Sequence, residues 1–226
     1  MTSQTLKRDS PARKRKRVYT TKADIVLDAA ERVFLQYGFA GTSMDIVAAE
    51  ANVSKRTVYN NYDSKQVLFG EVIKRRCANV APDMPELASL ADHDPEDVLT
   101  DMAVRFLSAI YSPDQIALYR IVVTESLNWP EIGSIMFNGP IMSSQKSFDH
   151  YIRQQVDLGR FEVPDIEWAA AEFVGLIKTN VHMKLLMNQP VQLDAKQIAQ
   201  MARASSQLFL RGALPRVRAD ALPAGK

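Results

Sequence analysis

Apolar residues recur every three to four positions along most of the chain, the spacing of one face of an α-helix. Over residues 22–37, Ile25, Ala29, Val33 and Phe34 form one stripe, while Asp24, Asp28, Glu31 and Arg32 lie elsewhere. Gly38 follows as a helix stop. Thr42 or Ser43 opens a second, short helix with Asp45 in its first turn and its end near Ala51. A third helix is predicted over 54–62 and a fourth from just after Ser64 to about 79. Pro82, Pro85 and Asp92 mark 80–94 as a loop. Asp94-Pro95 and Ser112-Pro113 each pair a cap with a proline suited to the first helical turn, and open helices to about 111 and 127. Trp129-Pro130 starts a short piece that breaks near Gly139-Pro140, and a long helix then runs to Gly159. Asp165 heads an apolar helix to about 188, Pro190 interrupts, and Asp194 caps a last helix to about 211. No alternating run is joined to another by a hairpin turn. The predicted fold is all-α, with about nine helices.

Charge divides this helical chain unevenly. Residues 1–76 carry 15 Lys and Arg against 8 Asp and Glu, a net +7, whereas 77–226 carry 13 against 18, a net −5. That asymmetry suits one surface for a polyanion and another for something else. Residues 1–20, with Lys7, Arg8, Arg13, Lys14, Arg15, Lys16 and Arg17, are predicted to be a disordered basic arm. Pro215, Pro223 and Gly225 make 214–226 a flexible tail. The N-terminus lacks the apolar core of a secretory signal, and no apolar run is long enough to span a bilayer. The single cysteine, Cys77, excludes an internal disulfide framework and suits a reducing compartment. A cytoplasmic protein without a membrane partner is the expectation. No Cys/His cluster has zinc spacing, no glycine-rich phosphate loop stands out, and His93, His150 and His182 have no Ser or Asp at suggestive spacing. Neither metal, cofactor nor catalytic residue is expected.

The stretch 42–65 carries the chemistry. Its second helix opens Ser54-Lys55-Arg56-Thr57, which puts cations at the positive end of a helix dipole. An anion there would remove the conflict, and a DNA phosphate is the obvious one. Val53 and Val58 flank the cap Ser54 with hydrophobic-staple spacing, and no acidic residue occurs from 54 to 62. Lys55, Arg56, Thr57, Asn60 and Asn61 point outward in this reading, all able to hydrogen-bond to bases or phosphates, with Tyr59 and Tyr62 adding hydroxyls. Ala48 is small where two helices would cross, and Asn52 suits a left-handed turn position. Helix, tight turn and recognition helix make a helix-turn-helix, whose second helix enters the major groove.

Ala29-Ala30-Glu31-Arg32-Val33-Phe34, Tyr37-Gly38-Phe39, Gly41-Thr42-Ser43 and Ile46-Val47-Ala48 precede the run Val53-Ser54-Lys55-Arg56-Thr57-Val58-Tyr59, with Tyr62, Ser64-Lys65 and Leu68-Phe69 after it. With these motifs, residues 22–76 resemble the DNA-binding domain of the TetR family of bacterial transcriptional regulators. Two departures are Asn52, where glycine is common, and Tyr62, where phenylalanine is. The resemblance implies that Thr42 and Ser43 touch phosphate at the start of the second helix. Ser54, Lys55, Arg56, Thr57 and Asn60 would lie in the major groove. Tyr59 would bond a phosphate, Lys65 would pin another, and Tyr62 would divide between packing and phosphate. The basic arm enters the minor groove, adds affinity through counterion release, or is equally well a plain unordered tail. A helix-turn-helix domain over 21–68 is expected, followed by a helical effector-binding and dimerisation domain over 69–213.

Ala169, Ala170, Ala171 and Gly175 allow close helix approach, and Phe173, Leu176 and Ile177 supply apolar area. Ala170, Phe173, Leu176 and Ile177 are therefore candidates for a homodimer seam, the alternative being packing within one subunit. The central helices hold an interior rich in aromatics and methionine, including Ile110, Tyr119, Met136, Phe137, Met142 and Tyr151, which suits a small apolar effector. Its candidate contacts are Phe106, Arg120, Val123, Trp129, Phe148 and Asn180, with Arg105 and His182 as further polar handles. His182 reads more readily as a satisfied core or interface histidine than as a ligand contact. The functional expectation is a ligand-responsive repressor released from a near-palindromic DNA operator by that effector. The alternative is a ligand-independent DNA-binding or architectural protein.

Overall fold

The computed structural model describes residues 21–78, 90 and 93–214, so the expected basic arm and most of the expected tail lie outside the described residues. Among the described residues ten α-helices follow one another: α1 Lys22–Tyr37, α2 Met44–Glu50, α3 Lys55–Asn61, α4 Lys65–Ala78, α5 Pro95–Ile110, α6 Pro113–Glu125, α7 Pro130–Met136, α8 Met142–Asp157, α9 Ile166–Leu186 and α10 Ala195–Ala213. Local chemistry sets most of their starts. Thr21 and Asp24 form a reciprocal capping box on α1, and Asp194 and Gln197 form another on α10. Ser43, Ser54, Asp94, Ser112 and Asp165 each accept a backbone N–H at their helix start.

Two features depart from the sequence pattern. The expected break at Gly139-Pro140 is a π-turn, Phe137–Ile141, that joins α7 to α8 without interruption. Proline has no N–H to donate, and a wider turn carries the helical path past it. The long apolar helix α9 is broken inside instead, where Thr179 takes φ 50°, ψ −159°.

The interior falls into two clusters. One joins α1–α4 to Leu118 and Val122 of α6 and to Ile132 and Met136 of α7. The other gathers α5, α8, α9 and α10 around Phe173, whose ring lies 5.2 Å from Phe148 and 5.0 Å from Phe209. The expected division at 68/69 falls within α4, where Leu68 and Phe69 are both fully buried in the first cluster. The three N-terminal helices are thus seated on α4, α6 and α7 through one continuous core. A Cβ on Gly70 would stand 3.2 Å from the Ile135 side chain, a measure of how closely α4 meets α7.

A charged clasp ties the same elements. Glu31 on α1 is only 7% exposed, yet its carboxylate is held by Arg75 and Arg76 from the last turn of α4. Arg75 also donates to the Leu27 carbonyl at 3.0 Å, and Arg76 reaches Asp114 in the first turn of α6 at 3.3 Å. Removing the carboxylate's charge leaves Arg75 with the Leu27 carbonyl and a distant Asp28 at 3.8 Å, and Arg76 with Asp114 alone among the described residues. Glu31→Gln is expected to cost about 3 kcal/mol, read as a fall in the urea midpoint at constant slope. A midpoint within error of the parent would mean the clasp contributes nothing to stability.

Candidate nucleic-acid interface and central cavity

Helix α2 ends in a paired turn. The Asn52 N–H donates to the Ala49 carbonyl at 3.1 Å and the Val53 N–H to the Ala48 carbonyl at 3.0 Å, with Asn52 at φ 52°. This is a Schellman end, and asparagine tolerates its left-handed position. Val53 and Val58 then pack into the first core, and Val58 is the buried residue of α3. Everything else on that short helix is free to face outward. Lys55, Arg56, Tyr59, Asn60 and Asn61 are exposed, as are the caps Ser43 and Ser54. The Ser54 and Thr57 hydroxyls lie 2.9 Å apart, and Asn61 donates to the Thr57 carbonyl.

The charge at the start of α3 is partly answered within the protein. Lys55 pairs with Asp45 of α2 at 2.8 Å, and its hydrogen bond to that carboxylate raises its pKa. Its ammonium also stands 5.9 Å from the centre of the Tyr59 ring. Arg56 is exposed and has no hydrogen bond or ion pair among the described residues, so its guanidinium fork is available to a ligand.

Three expected phosphate contacts have internal roles. Thr42 is buried, and its hydroxyl donates to the Gly38 carbonyl at 2.7 Å, holding the loop between α1 and α2. Tyr62 is buried too, with its hydroxyl 3.3 Å from the Ala23 carbonyl, and desolvation raises its pKa. Lys65 donates to the Phe39 and Thr42 carbonyls at 2.8 and 2.9 Å and sits 4.3 Å from the centre of the Phe39 ring. It braces the entry to α2, leaving one N–H for an anion. A lysine so placed was indistinguishable in sequence from an exposed one.

Between α5, α6, α8 and α9 lies a cavity of about 290 Å³. Phe106, Ile110, Tyr119, Met136, Phe137 and Ile141 form most of its apolar wall, and Gln115, Ser144, Gln145, Lys178 and His182 its polar part. Of the six expected effector contacts, Phe106 alone lines it. Val123 is 53% exposed, and Asn180 also faces away from the interior. Arg120 donates to the Leu185 and Leu186 carbonyls and so caps the end of α9. Trp129 packs against Phe39 in the first core, and Phe148 is a second-layer core ring behind Phe106. Periodicity marked these residues as apolar or long, without indicating which neighbour each would meet. Lys178 had a readable signal, as the lone formal charge between Phe173 and His182.

The expected seam residues divide similarly. Ala170, Phe173 and Ile177 are fully enclosed in the second core of one subunit, because the inner face of α9 packs on α8 and α10. Only Leu176 borders the outer face, beside Trp168 and Leu208, which are 70% and 57% exposed.

A helix-turn-helix head seated on a helical body with an internal cavity defines a DNA-binding regulator of the bacterial type. Residues 26–72 match the family described as bacterial regulatory proteins, tetR family, and residues 97–212 match the AefR-like transcriptional repressor C-terminal domain. The chain belongs to the TetR family of transcriptional regulators. It is 28% identical to the HTH-type transcriptional regulator YhgD of Bacillus subtilis over 77% of this chain and 89% of YhgD. A TetR-family regulator from Mesorhizobium loti shares the fold at TM-score 0.78 and 22% identity, over 86% of this chain and 97% of that one. The flavonoid-responsive regulator FrrA matches at TM-score 0.73 and 27% identity, over 86% and 98%. Among the described residues no helix is long and apolar enough to cross a membrane.

Lys65→Met would leave the Phe39 and Thr42 carbonyls without their donor. A loss of about 1 kcal/mol is expected from the lost hydrogen bonds, seen as a lower melting temperature without DNA. An unchanged melting curve would contradict the bracing role.

Proposed function

We propose that the chain is a homodimeric repressor that binds a near-palindromic operator and is released by a small, largely apolar effector in the central cavity. One observation carries the reading. Met136 and Ile141 line the cavity and also pack into the core that seats the DNA-binding head. A ligand pressing on that wall moves α7, which touches α4 at Gly70, and α4 carries the head. Packed interfaces switch between discrete arrangements, so a small displacement at α7 is enough to change the spacing of two heads. The ligand must bind the released arrangement more tightly than the operator-bound one. The AefR-like match is to a repressor domain, which supports the sign, and the flavonoid response in FrrA's name supports an aromatic effector.

Ser54, Arg56, Asn60 and the exposed parts of Lys55 and Thr57 would read the major groove, with Ser43 and Tyr59 on phosphates. Lys55 must exchange Asp45 for DNA, or keep it as a positioning partner. The seam would use the outer faces of α9 and α10, where Trp168, Leu176 and Leu208 border an apolar depression. Gly212 opens onto it, and a Cβ there would meet nothing within 4 Å, so a partner helix can come close. Two-fold symmetry would set the recognition helices about 34–36 Å apart.

Operator fragments selected from genomic DNA with the full chain provide the test. Arg56→Ala should weaken binding to the selected site by roughly 1–3 kcal/mol while sparing random DNA. Equal losses on both would remove Arg56 from base reading. Leu208→Asp should shift the sedimenting species from dimer to monomer and abolish cooperative occupation of the two half-sites. A persistent dimer would place the seam elsewhere.

A further inference from the structure

We infer that the effector is an aromatic-bodied anion whose charged group pairs with Lys178, on the polar side of the cavity beside His182 and Gln115. This rests on the cavity being the effector site and adds the ligand's charge. The cavity's lining contains one lysine and no aspartate or glutamate. The Lys178 ammonium has no hydrogen bond or ion pair among the described residues. A cation drawn out of water without a counter-charge is costly, and a ligand anion would remove that cost.

The neighbouring polar atoms are also unsatisfied. The Nδ1 of His182 and the Oε1 of Gln115 are buried without a hydrogen-bond partner. The imidazole is held between the Tyr111 ring, stacked at 6.1 Å, and the Tyr119 ring, edge-on at 5.4 Å. Burial and then the Lys178 charge lower the His182 pKa, which keeps the ring neutral and able to offer one donor and one acceptor. Two buried polar atoms without a partner, beside one unpaired ammonium, are rare in a folded interior.

The backbone holds Lys178 firmly. Its carbonyl accepts the Tyr111 hydroxyl at 2.6 Å, and α9 is broken at the next residue, Thr179. The Thr179 hydroxyl oxygen accepts the Val181 N–H at 3.2 Å, which secures the break from its far side. Phe106, Tyr119 and Phe137 form aromatic walls around the polar groups. They suit a flat ring body carrying one acidic substituent.

A pair of probes that differ in charge tests this on the full-length protein. Calorimetric titration should find 2-naphthoate binding about tenfold or more tighter than neutral 2-naphthamide, the factor a charged hydrogen bond supplies. Lys178→Met should erase that preference by weakening naphthoate, and Lys178→Arg should retain most of it. Without probe, Lys178→Met should melt at or above the parent temperature, since it removes an unpaired, partly buried charge. Gly175 lines the cavity and has open space at its Cβ, so Gly175→Phe should block both probes. Equal affinity for the two probes, a preference that survives Lys178→Met, or a steep loss of stability in that variant would overturn the anion assignment while leaving the cavity as the effector site. Binding that persists in Gly175→Phe, or no saturable binding of either probe, would overturn the cavity itself and the assignment with it.

Discussion

A carboxylate taken out of water must be matched, and in this chain Glu31 is matched by two consecutive residues of one helix. Arg75 and Arg76 leave the last turn of α4 and close on Glu31, while Arg76 continues to Asp114 at the head of α6. Both helix ends suit the charges they carry, cations at the C-terminus of α4 and an acid at the N-terminus of α6. Ion pairs of this kind add little net stability compared with apolar packing, but their geometry is demanding. They fix how far α4 lies from α1 and at what angle. The hydrophobic contacts between those helices supply the buried area, and the clasp adds a directional constraint to them.

That constraint matters because α4 belongs to both halves of the molecule. Its first turns complete the core beneath the helix-turn-helix, through Leu68 and Phe69, and its middle meets α7 at Gly70. The clasp residue Asp114 is followed directly by Gln115, whose side chain borders the cavity. Met136 closes the cavity from the other side and shares the head's core. Among the contacts between body and head, one polar and one apolar therefore lie next to a cavity wall. Under the proposed switching scheme this double attachment turns a change in the cavity into a rotation of α4 rather than a local slackening, because close-packed interiors transmit strain.

How much of this was legible from residues alone follows from how local each cause is. Helix starts were readable because caps and prolines act within four residues, and α1 has the limits its apolar stripe predicts. The tight turn was readable because Asn52 is one of few residues at ease in left-handed geometry. The inward face of α9 was not. Its sequence is apolar on several sides, so Ala170, Phe173 and Ile177 fitted a subunit seam as well as a subunit core, and only the positions of α8 and α10 decide between them. Arg120 and Trp129 failed as cavity residues for the same reason. A long side chain reaches whatever the tertiary fold brings near it, here the end of α9 and the ring of Phe39.

Three lysines make the point about charge more sharply. Lys55 sits at the surface and has a carboxylate partner, so its charge is compatible both with the fold and with exchange onto a phosphate. Lys65 is half-buried and satisfied by two backbone carbonyls, which converts a charge into a brace. Lys178 is partly buried in the cavity wall, lacks any such partner among the described residues, and has its proton loosened by burial. Folding alone would favour a methionine of similar length there, because the methylene stem packs equally well and no ammonium is stranded. The stability cost of keeping the ammonium falls on the unliganded form and disappears when an anion arrives. Under the proposed anion assignment, the cavity would bind its ligand partly by relieving its own electrostatic cost. The same relief is available only to the arrangement that admits the ligand, which is the differential affinity that switching requires.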